Sequence, residues 1–363
     1  MRVAVTGGTG FVGGHLARML AAAGHEVVVV ARGCDDRPWA REVRSTPGVR
    51  VVAAGLGSRM LLSRAFEGCD AVAHCAGINR ETGAQTYESV HVRGTATVVA
   101  AAREAGVRRL ALVSFLRARP ACGSPYHESK WAAEELVRAS GLEWTVLKPG
   151  MMFGRGDHML DHLSRVLGQL PVFVGIGPRV VRPLAVEDAV RVLAAALGGR
   201  LPRQTDALVG PTAIGFDDAA RLVARLTGSR ARFVRAPLGF HRLLARAAEA
   251  AMTTPLVSTA QVRMLGEGMT EPVLAPDPLP ADLTPRIPFD EDAVRAGLPP
   301  DGFGFHRSDL RLATGRIRLT ADVDAPPERC FDAARDIGLH ERAGAGERAV
   351  GGRTTGLIRG GSG

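Results

Sequence analysis

The opening stretch, MRVAVTGGTGFVGG, restricts what this chain can fold into more than any other part of it. Arg2 to Thr6 is a short Val-rich run, the composition of a strand buried on both faces. Gly7, Gly10 and Gly13 follow at the spacing of a strand-to-helix turn, and His15 to Ala23 reads as a helix with Leu16, Met19 and Leu20 on one side. Glycine lets a backbone turn sharply and come close to a ligand. The free N–H groups of the new helix, around Phe11, Val12 and Gly13, and its positive dipole end suit a diphosphate. A glycine triplet alone is common. Placed between one Val-rich strand and a second (Glu26 to Ala31), it becomes specific.

The same rhythm continues downstream. Arg50 to Ala54, Asp70 to Ala76, Leu110 to Ser114 and Glu143 to Leu147 read as strands, and Ser58 to Phe66, Thr86 to Gly106 and Gly123 to Ser140 as helical segments between them. Strand–helix–strand repetition predicts an α/β fold, a doubly wound parallel sheet with its ligand at the carboxyl ends of the strands. Ala76 and Gly77 leave the fourth strand on that edge and are small enough to admit a cofactor ribose. Gly154 to Pro183 suits a loop and helix over the cofactor. Helices at Val186 to Leu197, Asp217 to Thr227 and Leu238 to Met252, a short strand at Ala207 to Gly210 and an extended Pro/Asp-rich tail over 271–300 make a smaller substrate lobe, about 154–300.

The chain has 363 residues and a formal charge of +9, carried almost wholly by arginine, since Lys130 and Lys148 are its only lysines. With three Trp and two Tyr it lacks the stacking aromatics of a nucleic-acid surface, so a nucleic-acid partner is not expected. Cys34, Cys69, Cys75, Cys122 and Cys330 form no CxxC pair and show no metal-ligand spacing. They fit a reducing, cytoplasmic compartment and no metal. The first strand begins at residue 2, leaving no room for a signal peptide, and no apolar run reaches bilayer length, which predicts no integral membrane segment. After the second strand stands Arg32, where an acid would hold the ribose hydroxyls of an unphosphorylated cofactor. A guanidinium suits a 2′-phosphate, favouring NADP(H) over NAD(H); the alternative is a solvated arginine at a strand end.

Tyr126-His127-Glu128-Ser129-Lys130 is the second decisive feature. A tyrosine and a lysine four apart share a helix face, so the ammonium can stabilise a phenolate and hold the cofactor ribose. Such a phenol passes a proton to a carbonyl oxygen while a hydride arrives from a nicotinamide. Ser114, at the end of the fifth strand, is placed to bond the same oxygen.

TGGTGFVG, HCAG (His74 to Gly77), Ser114 and YHESK together resemble the extended or atypical branch of the short-chain dehydrogenase/reductase superfamily. Ser124-Pro125-Tyr126, Trp144 to Pro149 and Phe153 to Asp157 are most similar to bacterial relatives of the NADPH-binding accessory subunit of respiratory complex I. The resemblance covers residues 1–300. It implies a Rossmann core with Ser114, Tyr126 and Lys130 as the catalytic set, Leu56, Pro149 and Met151 beside the cofactor, and a homodimer through helical faces. Arg182 resembles the arginine that sugar-nucleotide epimerases use on a substrate phosphate, or is a surface charge. Three departures stand out: His91 where an asparagine of the proton relay is usual, Gly55-Leu56-Gly57 where an acid helps hold the adenine, and no second serine after the fifth strand.

A linker (301–314) precedes 315–363, where DAPPERCFDAARDIGLH and AVGGRTTGLI resemble the start of a polyketide cyclase-like SRPBCC domain, an α+β fold that this segment is too short to complete. The expectation is hydride transfer between a nicotinamide and a carbonyl or hydroxyl carbon of a small-molecule substrate, as an oxidoreductase or an epimerase/dehydratase. The alternative is a non-catalytic NADPH-binding or redox-sensing protein.

Overall fold

The computed structural model describes residues 1–32, 38–251, 262–263, 266, 270–272 and 277–298. The expected linker and SRPBCC-like tail lie outside the described residues, as do Cys34 and Cys330. A seven-stranded sheet is built from β1 (Arg2–Thr6), β2 (Glu26–Ala31), β3 (Val49–Ala53), β4 (Ala71–His74), β5 (Arg109–Val113), β6 (Glu143–Pro149) and β7 (Gln204–Leu208). Its order is β7-β6-β5-β4-β1-β2-β3 and every pairing is parallel. This is the Rossmann order with one strand added at the β6 edge.

Period-two alternation sends the strand residues to two separate cores. Val3, Val5, Val27 and Val29 face α1 (Phe11–Ala22) and, later in the chain, Val186–Leu197, where they meet Leu16, Leu20, Leu193 and Leu197. Ala4, Val28, Val30, Val72, Leu110 and Leu112 face the other way, onto Leu62 and Phe66 of Arg59–Phe66, Val98 of Gly94–Glu104 and Val137 of Pro125–Arg138. Both faces are covered, which is why these strands read as continuous apolar runs. Among the described residues the helices are, in chain order, α1, α2 (Pro38–Arg44), α3 (Arg59–Phe66), α4 (Gly94–Glu104), α5 (Pro125–Arg138), α6 (His158–Gln169), α7 (Val186–Leu197), α8 (Phe216–Leu226), α9 (Leu238–Ala251) and α10 (Glu291–Gly297).

Several elements depart from the expected pattern: α7 and β7, expected in the smaller lobe, belong to the main sheet and its core, and α2 has no expected counterpart. The long helical segment after β4 opens with a π-helical turn, Glu88–Arg93, before α4 begins. The stretch expected as an extended tail carries a 3-10 turn (Ala281–Leu283) and α10, whose amino end is capped by Asp290 through the Ala293 N–H. It is strapped to α7: Asp188, buried there, accepts the N–H groups of Arg286 and Ile287, and Arg191 donates to the carbonyls of Asp282 and Thr284.

A smaller core brings Phe153, Leu160, Phe173, Val223, Phe289 and Val294 together between α6, α8 and α10. Three short strand pairs line it: Met152–Phe153 with Leu184–Ala185, Val172–Gly175 with Arg232–Arg235, and Val180–Val181 with Ile214–Gly215. Asp157 caps α6, accepting the Met159 N–H at 2.5 Å and the Leu160 N–H at 3.1 Å. Burial pushes its carboxyl up to about 7, against the pull of those backbone donors. A carboxyl raised in this way favours the folded state fully below its ordinary value, and that contribution is lost as pH rises through the folded value. Asp157→Asn keeps a capping oxygen and removes the ionisation. With one oxygen for two N–H donors, its melting temperature should lie below that of the natural protein near pH 3.8, and the deficit should shrink as pH rises through 7, as read by thermal unfolding across that range.

Candidate functional site

Between β1 and β4 the order in which strands join the sheet reverses, opening a crevice at the carboxyl ends of the strands. Gly7 adopts φ +68°, and a Cβ there would lie 2.7 Å from Ala76 Cα, so the glycine turn rests directly on the backbone leaving β4. A Cβ on Gly13 would sit 2.5 Å from the Gly7 carbonyl oxygen, while the Gly10 N–H donates to that oxygen at 2.9 Å. α1 starts from Gly10 without a side-chain cap, which leaves its first N–H groups, at Phe11, Val12 and Gly13, to an external acceptor. A cradle with backbone donors and no side chain in the way fits a dinucleotide diphosphate. Trp39 of α2 packs behind it, its indole N–H donating to the Gly10 carbonyl at 3.2 Å.

The Tyr126–Lys130 pair reaches the same place from the other side. Both are buried on α5, and Lys130 Nζ donates to the Val113 carbonyl at 3.2 Å, close enough to Gly77 that a Cβ there would stand 3.2 Å from the ammonium. Ala76 and Gly77 therefore lie between the first motif and the second. Burial lowers Lys130 to about 8, with Glu134 one turn along opposing the shift. Tyr126 sits in a ring of aromatics, 5.5 Å from Tyr87, 5.7 Å from His91 and 5.3 Å from Phe115 between centroids, with Ile78 and Met151 packed against the cluster. Burial, helped by the Tyr87 phenol, raises Tyr126 well above the ordinary tyrosine value.

His91, on the π-helical turn, stands in place of the expected asparagine and forms a directed chain of hydrogen bonds. The Ile78 N–H donates to Nε2 at 3.1 Å, so the ring proton is on Nδ1, which donates to Ser129 Oγ at 2.9 Å. Ser129 then donates to the Tyr126 carbonyl at 2.9 Å. Burial, with Lys130 and His74 adding repulsion, drives His91 down to about 2, leaving a neutral ring that ties the β4 exit to the first turn of α5. His74 below it is held by Thr6 (2.7 Å) and Thr95 (3.0 Å), and burial lowers it to about 3.

The other expected site residues lie at or just after the ends of β2, β3, β5 and β6, or, for Arg182, beside the Gly210 loop. Ser114 Oγ donates to Glu134 Oε1 at 2.5 Å, so its hydroxyl proton is committed to a buried carboxylate. Glu134 also pairs with Lys148 (3.0 Å) and Arg138 (2.9 Å), and sequence reading missed it although it continues the Tyr126, Lys130 spacing by one more turn. Arg182 bonds the carbonyls of Gly210 (3.0 Å) and Pro211 (3.4 Å), so its guanidinium braces a loop, which departs from the substrate-phosphate reading. Leu56 follows β3 and packs where a Cβ on Gly94 would meet its Cδ1 at 2.8 Å. Pro149 ends β6 and accepts the Leu116 N–H. Arg32 is exposed at the end of β2. Among the described residues no cluster of His, Cys, Asp or Glu could hold a metal.

Comparison with known proteins agrees with this geometry. A family profile described as NAD(P)H-binding matches residues 7–159. The chain is similar to a ceramide reductase of Caulobacter vibrioides, 34% identical over 194 residues, which are 53% of this chain and 60% of that protein. It is similar to the mitochondrial NADH dehydrogenase [ubiquinone] 1 alpha subcomplex subunit 9 of Arabidopsis thaliana, 28% identical over 66% of this chain and 61% of that one. The chain thus spans about three fifths of the length of each relative. Among solved structures, MoeE5 in complex with UDP-glucuronic acid and NAD superposes with a TM-score of 0.55 at 26% identity, over 65% of this chain and 86% of that one. The sheet is of the Rossmann type, and the NAD(P)H-binding match over residues 7–159 begins at its glycine turn.

The Glu134 cluster gives a direct expectation. Glu134→Ala leaves the Lys148 ammonium buried without its carboxylate and should cost about 3–5 kcal/mol in denaturant unfolding. Ser114→Ala removes one donor of the four-group cluster and should cost less, about 1–3 kcal/mol.

Proposed function

We propose that this NAD(P)H-binding chain is a reductase that delivers hydride to the carbonyl carbon of an apolar small molecule, with Tyr126 as proton donor. The observation that carries the reading is the meeting of Tyr126 and Lys130 with the β4 exit at Gly77, one strand away from the glycine cradle. A bound nicotinamide supplies the hydride. The chain supplies the rest: Tyr126 gives its hydroxyl proton to the carbonyl oxygen as an alcohol forms, and solvent returns that proton. A phenol raised by burial stays protonated at neutral pH, which suits reduction better than abstraction of a proton from an alcohol. Lys130 holds the ribose and remains a cation below about 8.

The substrate class follows from the wall around the phenol. Tyr87, Phe115, Ile78 and Met151 are apolar or aromatic, and the expected phosphate-binding arginine is engaged with backbone carbonyls. An apolar ketone or aldehyde is therefore favoured over a sugar nucleotide. The name of the Caulobacter relative supports a reductase and a lipid-like substrate. NADP(H) is the proposed cofactor, with Arg32 on the 2′-phosphate. The free thiols of Cys69, Cys75 and Cys122 support a reducing, cytoplasmic setting. A second reading, tight NADPH binding without turnover, is supported by Ser114, whose hydroxyl is committed to Glu134 and offers no partner for a substrate oxygen.

Tyr126→Phe separates the two. Under the reductase reading it lowers turnover in a panel of apolar carbonyls by about 10²–10⁴-fold, with NADPH affinity unchanged. NADPH that persists unoxidised with every carbonyl tried, in natural protein and variant alike, supports the binding-only reading. For the cofactor, Arg32→Ser should weaken NADPH by about 10–100-fold in titration and leave NADH unaffected. Equal loss for both nucleotides would make Arg32 a solvated charge.

A further inference from the structure

Helix α9 is docked by an unusually narrow stripe. Among its described side chains, Leu238 to Arg246, the fully buried ones are His241 and Ala245, one turn apart, and His241 Nε2 bonds the Gly175 carbonyl at 3.1 Å. Phe240 is 47% exposed, Leu243 67% and Leu244 43%. At the turn angle of an α-helix Leu243 falls opposite the docked stripe, and Phe240 and Leu244 extend from it along one flank. Arg242 and Arg246 occupy the other flank, both exposed, and the one acidic residue of the helix, Glu249, comes after them in the sequence. In cross-section the helix has a docked edge, a basic flank and an outward apolar arc.

The strand pair that leads into α9 continues the pattern. Arg232 lies beside Val172 in the register, Val172 (38%) and Val234 (46%) are exposed, and Ala236 donates to the Gly175 carbonyl, the same residue that anchors His241. No described helix is long and apolar enough to cross a membrane. A helix with an apolar arc beside a row of arginines lies in a bilayer interface instead, its apolar side at the acyl boundary and its cations among the phosphates.

We propose that α9 is an interfacial anchor that seats Phe240, Leu243 and Leu244 in the surface of an anionic lipid bilayer, with Arg242 and Arg246 on the headgroup phosphates. The adjoining face of Val172, Arg232 and Val234 extends the contact. This inference is independent of the reductase reading, since it uses no residue of the nucleotide cradle or of the Tyr126 cluster.

The test is flotation of the full chain with phosphatidylcholine vesicles, with and without about 30% phosphatidylglycerol. The natural protein should float with the anionic vesicles and much less with the neutral ones, and rising salt should release it. The pair Phe240→Ser with Leu243→Ser should reduce partitioning at least about tenfold, and Arg242→Gln or Arg246→Gln about fivefold each. All four positions are exposed, so circular dichroism and melting should match the natural protein. Absence of flotation with anionic vesicles, or equal flotation by the serine pair, overturns the proposal. So does light scattering that shows an oligomer which the serine pair dissolves while vesicle binding stays absent; the arc would then be a contact between copies of this chain.

Discussion

The contact of Gly7 with Ala76 is the constraint on which the site depends. Backbone rests on backbone there: a single added methyl at Gly7 would come within 2.7 Å of Ala76 Cα. The strand order places β1 beside β4, but that near-touching approach is what lets one turn serve both the diphosphate cradle and the edge where Lys130 reaches Gly77. Widening it by the size of a side chain would separate the two motifs. The parallel sheet supplies the rigidity, because Val3 to Val5 are wholly buried between two helical layers.

The opposite wall is held by charge instead of glycine. Glu134 gathers Ser114 of the β5 end, Lys148 of β6 and Arg138 of its own helix around one buried carboxylate, while Trp131 lies 5.3 Å from the Lys148 ammonium. Three elements that must agree in position are fixed by one group. A buried cluster of this kind does not add much net stability, but it penalises every arrangement that breaks it. This accounts for the second lysine of an arginine-rich chain, whose ammonium bonds both Glu134 and the Ala118 carbonyl within a confined space.

Much of this was legible before any coordinates. Glycine spacing, Val-rich runs and strand–helix rhythm point to β1 and β2 residue for residue, because parallel strands buried on both faces leave an uninterrupted apolar signature, while α1 starts at Phe11, four residues before the expected His15. The Tyr126–Lys130 pair was legible for a different reason, since both residue types are scarce in the chain. What was not legible depends on side-chain direction. Nothing in the spacing tells whether Ser114 turns to the phenol or to Glu134, or whether Arg182 reaches outward or braces Gly210. α10 was hidden because Pro and Asp on either side dominate the composition of its segment, and α2 because it is short, seven residues beginning at Pro38.

The neutral His91 gives the site a fixed electrical character. Two histidines in a crevice ordinarily make it responsive to mild acid. Here His91 and His74 are driven to about 2 and 3, and burial lifts the Cys75 thiol to about 12. Moving from mildly acidic to neutral pH therefore leaves these three groups in one protonation state. Of the groups around Gly77, Lys130 is the one poised to respond, and only on the alkaline side, near 8. The pocket behaves like a component with its bias already set, whose field an arriving nucleotide meets unchanged across the acid half of the physiological scale.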